Sequence, residues 1–120
     1  RYSMNKQYRV KKSKEIEQIL NEKKYSSNAY FSIYKKINPQ TSNFRYAISV
    51  GKKIGNAVIR NRLKRQVHSI VDCLNIDLNS KIDVFIIVKV KTLNLTYQQM
   101  YKQLEYLFYK QKLIKGEKNE

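Results

Sequence analysis

The chain has 120 residues, and 25 Lys and Arg against 9 Asp and Glu give a formal net charge of +16. Its 42% hydrophobic content excludes disorder throughout, and the length fits one domain, 1–120, with little room for a second. No apolar run approaches the ~20 residues of a bilayer span, no basic-then-apolar opening marks a secretory signal, and one cysteine with one histidine leaves no internal disulfide and no His/Cys zinc cluster. A domain this basic is expected to meet a polyanion, nucleic acid before an acidic membrane.

Arg1, Tyr2 and Ser3 precede the first methionine and are expected to be an appended remnant, while residues 4–12 read as a basic, aperiodic arm. Ser13 is the expected N-cap of a short helix over 14–24, with Glu15 and Glu17 at its positive end and Ile16, Ile19 and Leu20 as its apolar stripe. Residues 29–37 alternate, placing Phe31, Ile33 and Ile37 on one face and Tyr30, Ser32, Tyr34 and Lys36 on the other. After a turn at 38–43, a strand over 44–50 puts Phe44, Tyr46, Ile48 and Val50 on one face, and the two strands are expected to pair as an antiparallel hairpin with a long loop.

A basic loop at 51–56 follows. Asn56 is the expected N-cap of a helix reaching about 74, with Ile59, Leu63, Val67, Ile70, Val71 and Leu74 along one arc. Asn61, Arg62, Lys64, Arg65 and His68 fall outside that arc, and Arg60 borders it, its stem along the core edge and its head toward solvent. Residues 82–90 form the most apolar strand, read as central and covered on both faces. Thr96 with Gln99 makes a capping box, Leu95 with Met100 a hydrophobic staple, and Tyr97, Met100, Tyr101, Leu104, Leu107 and Phe108 the core face of the last helix, which frays near 116 into a charged tail. This order describes an α+β sandwich with helices packed on a small mixed sheet, in which 44–50, 57–74 and 82–90 form a βαβ unit.

The nine acids are scattered among basic neighbours, so neither a general acid/base couple nor a carboxylate metal cluster is legible. Gly51 to Gly55 lacks Walker or Rossmann spacing. His68 and Cys73 lie on different sides of one helix, and Cys73 reads as a buried small hydrophobe. The chain is expected to perform no bond chemistry by itself. The informative feature is a single-signed run: no acid occurs from 52 to 71, whereas a face built for solubility alone mixes signs. Mounted on a helix N-terminus, Arg60, Asn61, Arg62, Lys64 and Arg65 suit phosphate and base or ribose. Tyr34, opposite in phase to Phe31 and Ile33, could stack a base of single-stranded RNA or be covered by the first helix, and both hold if that helix forms one wall of a cleft.

The segment Val50-Gly51-Lys52-Lys53-Ile54-Gly55-Asn56-Ala57-Val58-Ile59-Arg60-Asn61-Arg62-Leu63-Lys64-Arg65 closely resembles the signature of the bacterial ribonuclease P protein family. Tyr8-Arg9-Val10-Lys11-Lys12-Ser13 resembles its basic lead-in, Asn28 with Phe31 and Tyr34 its second strand, and Leu95-Thr96-Tyr97 the opening of its last helix, so the likeness runs along nearly the whole chain. The resemblance implies an αβββαβα two-layer sandwich, a ribosomal-protein-like fold with a left-handed βαβ crossover, where base rates alone favour a right-handed one. It implies a cytoplasmic subunit that is not a catalyst alone: it joins a large RNA that removes the 5′ leader of precursor tRNA using Mg²⁺ held by the RNA, with no small-molecule cofactor and no membrane.

Carried over by position, Lys52, Lys53, Asn56, Arg60, Asn61, Arg62, Lys64, Arg65 and His68 would face the catalytic RNA, and Arg9, Lys12, Ile16, Leu20 and Tyr34 would line a cleft for the leader. Phe31 also matches the family's cleft aromatics in sequence, but its alternation points it to the core. Ile16 and Leu20 stand where the family usually has phenylalanines, Gly51 where it has serine, and His68 where a further arginine is usual, which makes one charge conditional on pH. Three rivals remain: a ribosomal protein bracing RNA, a metal-dependent nuclease acting alone, and a peripheral membrane protein, for which the helices show no exposed apolar face.

Overall fold

A computed structural model describes residues 8–10 and 12–114, so the expected remnant at 1–3, residues 4–7 and 11 of the arm and the tail at 116–120 lie outside the described residues. The elements in chain order are α1 (Ser13–Asn21), β1 (Tyr25–Ser27), β2 (Phe31–Ile37), β3 (Arg45–Val50), α2 (Ala57–Cys73), β4 (Ile82–Val88) and α3 (Tyr97–Lys110), with 3-10 turns at Lys52–Ile54 and Val90–Asn94. This is the α+β order expected, and it sorts into a four-stranded sheet ordered β1-β2-β4-β3.

The expected hairpin between β2 and β3 does not form. β4 lies between them, antiparallel to β2 and parallel to β3. Alternation fixes which face a side chain takes but not which strand lies alongside. The 38–43 segment is long enough to step over one strand, a gap of about 10 Å. It is tied to β4 and to the segment leading into it: Asn38 Nδ2 donates to Asp83 Oδ2 at 2.9 Å, Asn38 N to Lys81 O at 2.8 Å, and Phe44 N to Leu78 O at 3.0 Å. β3, α2 and β4 thus make the expected βαβ unit.

One sheet face carries Phe31, Ile33, Phe44, Tyr46, Val50, Val84, Ile86 and Val88, all buried. They pack with Leu63, Val67, Ile70 and Val71 of α2 and Met100, Leu104, Leu107 and Phe108 of α3. Full burial of each large apolar side chain contributes roughly 1.5–3 kcal/mol. Phe31 is completely buried, as its alternation requires. Asn56 caps α2 by accepting from Ile59 N at 3.1 Å, and Thr96 and Gln99 form the full capping box of α3.

Six expectations give way. Ser13 is the first helical residue of α1 and Lys12 takes the cap position, its carbonyl accepting from Glu15 N and Ile16 N. α1 stops at Asn21, three residues short of expectation, because Lys23 turns left-handed at φ 56 before β1. Ile37 is 63% exposed at the end of β2, beyond the helices. Tyr97 is exposed rather than core, its hydroxyl bonded to Ser69 Oγ at 2.8 Å on α2, and Cys73 is exposed at the end of α2. β4 is central but covered fully on one face only: Phe85 and Ile87, on the other, are half-buried.

Candidate nucleic-acid interface

The first surface is built around the start of α2. Gly51 opens a 3-10 turn whose Ile54 is buried, which leaves Lys52 and Lys53 exposed just ahead of the helix. Gly55 packs against the first turn: a Cβ there would meet the Ile59 side chain at 3.1–3.2 Å, tighter than ordinary contact. Asn56 is exposed, and its side-chain oxygen accepts the capping bond, which leaves the amide NH₂ without a part in the cap. Asn61, Arg62, Lys64 and Arg65 are exposed on the far side from the core. Arg60 is half-buried, and its Nε is buried with no hydrogen-bond partner among the described residues.

Arg9 changes company relative to expectation. It bridges to Tyr46 on the open edge of β3, and Val10 N donates to Tyr46 O at 3.0 Å. That pins the lead-in beside α2, where Arg9 lines a depression of about 560 Å³ with Val58, Asn61, Lys64, Arg65 and His68. Arg9 therefore belongs to the α2 surface and not to the cleft under α1.

His68 is a correction too. The helical wheel placed it outward, but it is buried, and its Nδ1 shares a 2.9 Å hydrogen bond with the buried Tyr46 hydroxyl. Burial, with the charges of Arg9 and Lys64 adding to it, pushes its pKa from 6.5 down to about 4. It is neutral at pH 7 and offers the depression no conditional charge. The signal that could have found this is Tyr46 itself: an inward-facing tyrosine needs a polar partner for its hydroxyl.

The second surface is the other face of the sheet. α1 lies there, anchored by the fully buried Ile19 and by Arg45, which donates to Glu15 Oε2 at 3.0 Å and to Asp83 Oδ2 at 2.8 Å. These two carboxylates hold the Arg45 pKa above its ordinary value against the opposing effect of burial. They are the only ion pairs among the described residues, and no group of three or more His, Cys, Asp or Glu there could hold a metal. Among the described residues, no helix is long and apolar enough to cross a membrane.

Because α1 is short, part of this face stays open. Register sets Tyr25, Tyr34, Phe85 and Ala47 in one row across the four strands, and Ser27, Ser32, Ile87 and Ser49 in the next. Tyr25 and Tyr34 stack at 5.0 Å between centroids and 24° between planes. Lys89 closes one end, donating to Ser27 Oγ and Asn28 O, and Arg45 marks the other. Ile16 and Leu20 are half-buried along α1, and Lys12 is exposed at its start. Sequence reasoning placed Tyr34, Ile16, Leu20 and Lys12 here but missed Tyr25, Phe85 and Lys89: β1 is only three residues long, and Phe85 was read as covered.

Known proteins fit this geometry. The sequence model of the family described as Ribonuclease P matches residues 4–112. The chain is 44% identical over 86 residues to the ribonuclease P protein component of Enterococcus faecalis (72% of this chain, 73% of that one). It is 36% identical over 105 residues to that of Bacillus cereus strain G9842 (88% and 91%). The structure of the Staphylococcus aureus RNase P protein superposes with a TM-score of 0.79 at 30% identity, covering 89% of this chain and 97% of that one.

Proposed function

The chain belongs to the ribonuclease P protein family, and from that premise we propose that it is the protein subunit of a ribonucleoprotein that removes the 5′ leader of precursor tRNA in the cytoplasm. The α2 surface binds the catalytic RNA. Arg62, Lys64 and Arg65, joined by Arg9 and by Lys52 and Lys53, neutralise phosphates, and the helix N-terminus adds its dipole. Arg60 borders that surface, half-buried, with its Nε buried. The open face beside α1 binds the leader as a single strand: Tyr34, backed by Tyr25 and flanked by Phe85, offers a stacking platform, and Ile16 and Leu20 an apolar wall without rings. Mg²⁺ is the RNA's ion in this reading, since the α2 surface carries no carboxylate from 52 to 71. The protein's work is to screen RNA–RNA repulsion and to favour precursor over mature tRNA.

The observation that carries the reading is the exposed, single-signed Asn61, Arg62, Lys64 and Arg65 face on a capped helix start, free of ion pairs among the described residues. The test adds the purified chain to a bacterial ribonuclease P RNA at low Mg²⁺ and follows cleavage of precursor tRNA. Stimulated cleavage is expected. Absence of stimulation, with co-sedimentation on ribosomes, would favour a structural RNA-binding role instead.

A further inference from the structure

A second basic cluster lies away from both surfaces, where the C-terminal ends of α1 and α3 converge on β1 and β2. α1 leaves through Lys23 at φ 56 into Lys24, and α3 leaves through Lys112 at φ 61. Gln111, buried, ties the two ends together: its Nε2 donates to Ile33 O at 3.0 Å and to Lys24 O at 3.4 Å, while Lys35 Nζ donates to Gln111 O at 2.8 Å. Lys24 O also accepts from Lys35 N at 2.9 Å. Lys24, Lys35 and Lys112 are thereby held near one another on fixed backbone, with Lys23 and Lys110 as chain neighbours.

Lys35 has a structural explanation, because a cation on the last carbonyl of α3 offsets the helix dipole. Lys24 and Lys112 lie just past the ends of α1 and α3, but among the described residues neither side chain bonds a helix carbonyl as Lys35 does. Neither forms an ion pair among the described residues, and Asp77, which shares a groove with Lys110 and Lys112, forms none either. Burial, then the charges of Lys24 and Lys112, lowers the Lys35 pKa. Bringing three like charges together is unfavourable unless an anion joins them. Aromatic surface lies alongside: Lys110 Nζ sits 5.6 Å from the Tyr106 ring centre, and Tyr106 and Tyr109 are both exposed. Cations beside exposed rings suit a nucleic-acid strand.

We propose that Lys24, Lys35 and Lys112 form a second phosphate-binding surface of this chain, taking the backbone of an RNA on the α3 side of the sheet, away from the α1 groove. It rests on the reading of the chain as an RNA-binding subunit and adds a surface that reading does not use. The phosphates could come from the catalytic RNA or from the precursor tRNA. Lys35 is left intact because it holds α3, and the tested variant is Lys24→Gln with Lys112→Gln. Lys81→Gln, at another exposed lysine, is the matched loss of charge, and Arg62→Ala the control on α2.

Affinity is measured against salt in two arms: ribonuclease P RNA binding the chain, and precursor tRNA binding the assembled holoenzyme. The log–log slope should flatten by about one unit per lost phosphate contact in one arm, which names the RNA, and Lys→Arg at both positions should restore it. Unchanged slopes in both arms overturn the proposal, as does a change no greater per charge than that of Lys81→Gln. If Arg62→Ala is silent as well, the reading of α2 fails with it. If Arg62→Ala alone weakens binding, only the second surface is lost.

Discussion

The buried Tyr46–His68 pair makes part of this fold's acid sensitivity traceable to a single imidazole. In the native chain the His68 pKa is pushed from 6.5 down to about 4 by burial, then by the charges of Arg9 and Lys64. The unfolded chain therefore binds a proton between those values that the native chain does not. The stability this contributes is complete above about pH 6.5 and is lost as the pH falls through about 4. The gap corresponds to a ceiling of about 3 kcal/mol, and to ~2 kcal/mol once solvent and salt screening of the Arg9 and Lys64 charges is allowed for. The assay is urea unfolding of the native chain and of His68→Gln, from about pH 7 to about pH 4.5. Carboxylate titration is common to both and cancels in the difference. The native chain should lose roughly 1–2 kcal/mol more than the variant across that range. Parallel losses would refute the account of His68 as a neutral, buried partner of Tyr46.

Asn56→Ala removes the oxygen that accepts from Ile59 N and should cost about 1 kcal/mol of stability, read from the urea midpoint; an unchanged midpoint would mean the cap is redundant. Arg62→Ala and Arg65→Ala should each weaken binding of ribonuclease P RNA and flatten its salt dependence by about one unit, with no loss of thermal stability. Tyr34→Ala should cost ~1–3 kcal/mol of leader binding, measured with precursor tRNAs bearing long and minimal leaders; equal loss for both would place Tyr34 outside the leader path.

What could be read in the sequence was whatever depends on local periodicity. α2, its Asn56 cap, the Thr96–Gln99 box and the inward faces of Phe31, Ile33, Phe44, Tyr46 and Val50 follow from spacing and capping chemistry alone. The basic face of α2 was legible for the same reason, since Asn61, Arg62, Lys64 and Arg65 share one side of a helix. What escaped depends on contacts between distant segments. β4 entering between β2 and β3 is a pairing choice that alternation cannot record. Arg9 reaches α2 only because Val10 bonds to β3 at Tyr46. His68 meets the Tyr46 hydroxyl, 22 residues away, a contact that spacing along α2 does not record.

The length of α1 decides what the outer sheet face can do. Its nine residues span about 13 Å, whereas β2 and β4, at seven residues each, run about 23 Å. A helix that short, fixed at one end by Glu15 on Arg45 and in its body by Ile19, cannot roof the whole face. Tyr34, Phe85 and Ile87 are left half-buried as a consequence. Their neighbours in the same strands, Ile33, Val84 and Ile86, are fully buried under α2 and α3. One sheet thus separates two demands, with stability on the inner face and an accessible aromatic floor on the outer one. Truncating Ile33 or Ile86 should unfold the chain before it alters binding, whereas truncating Tyr34 or Phe85 should alter binding before it unfolds the chain.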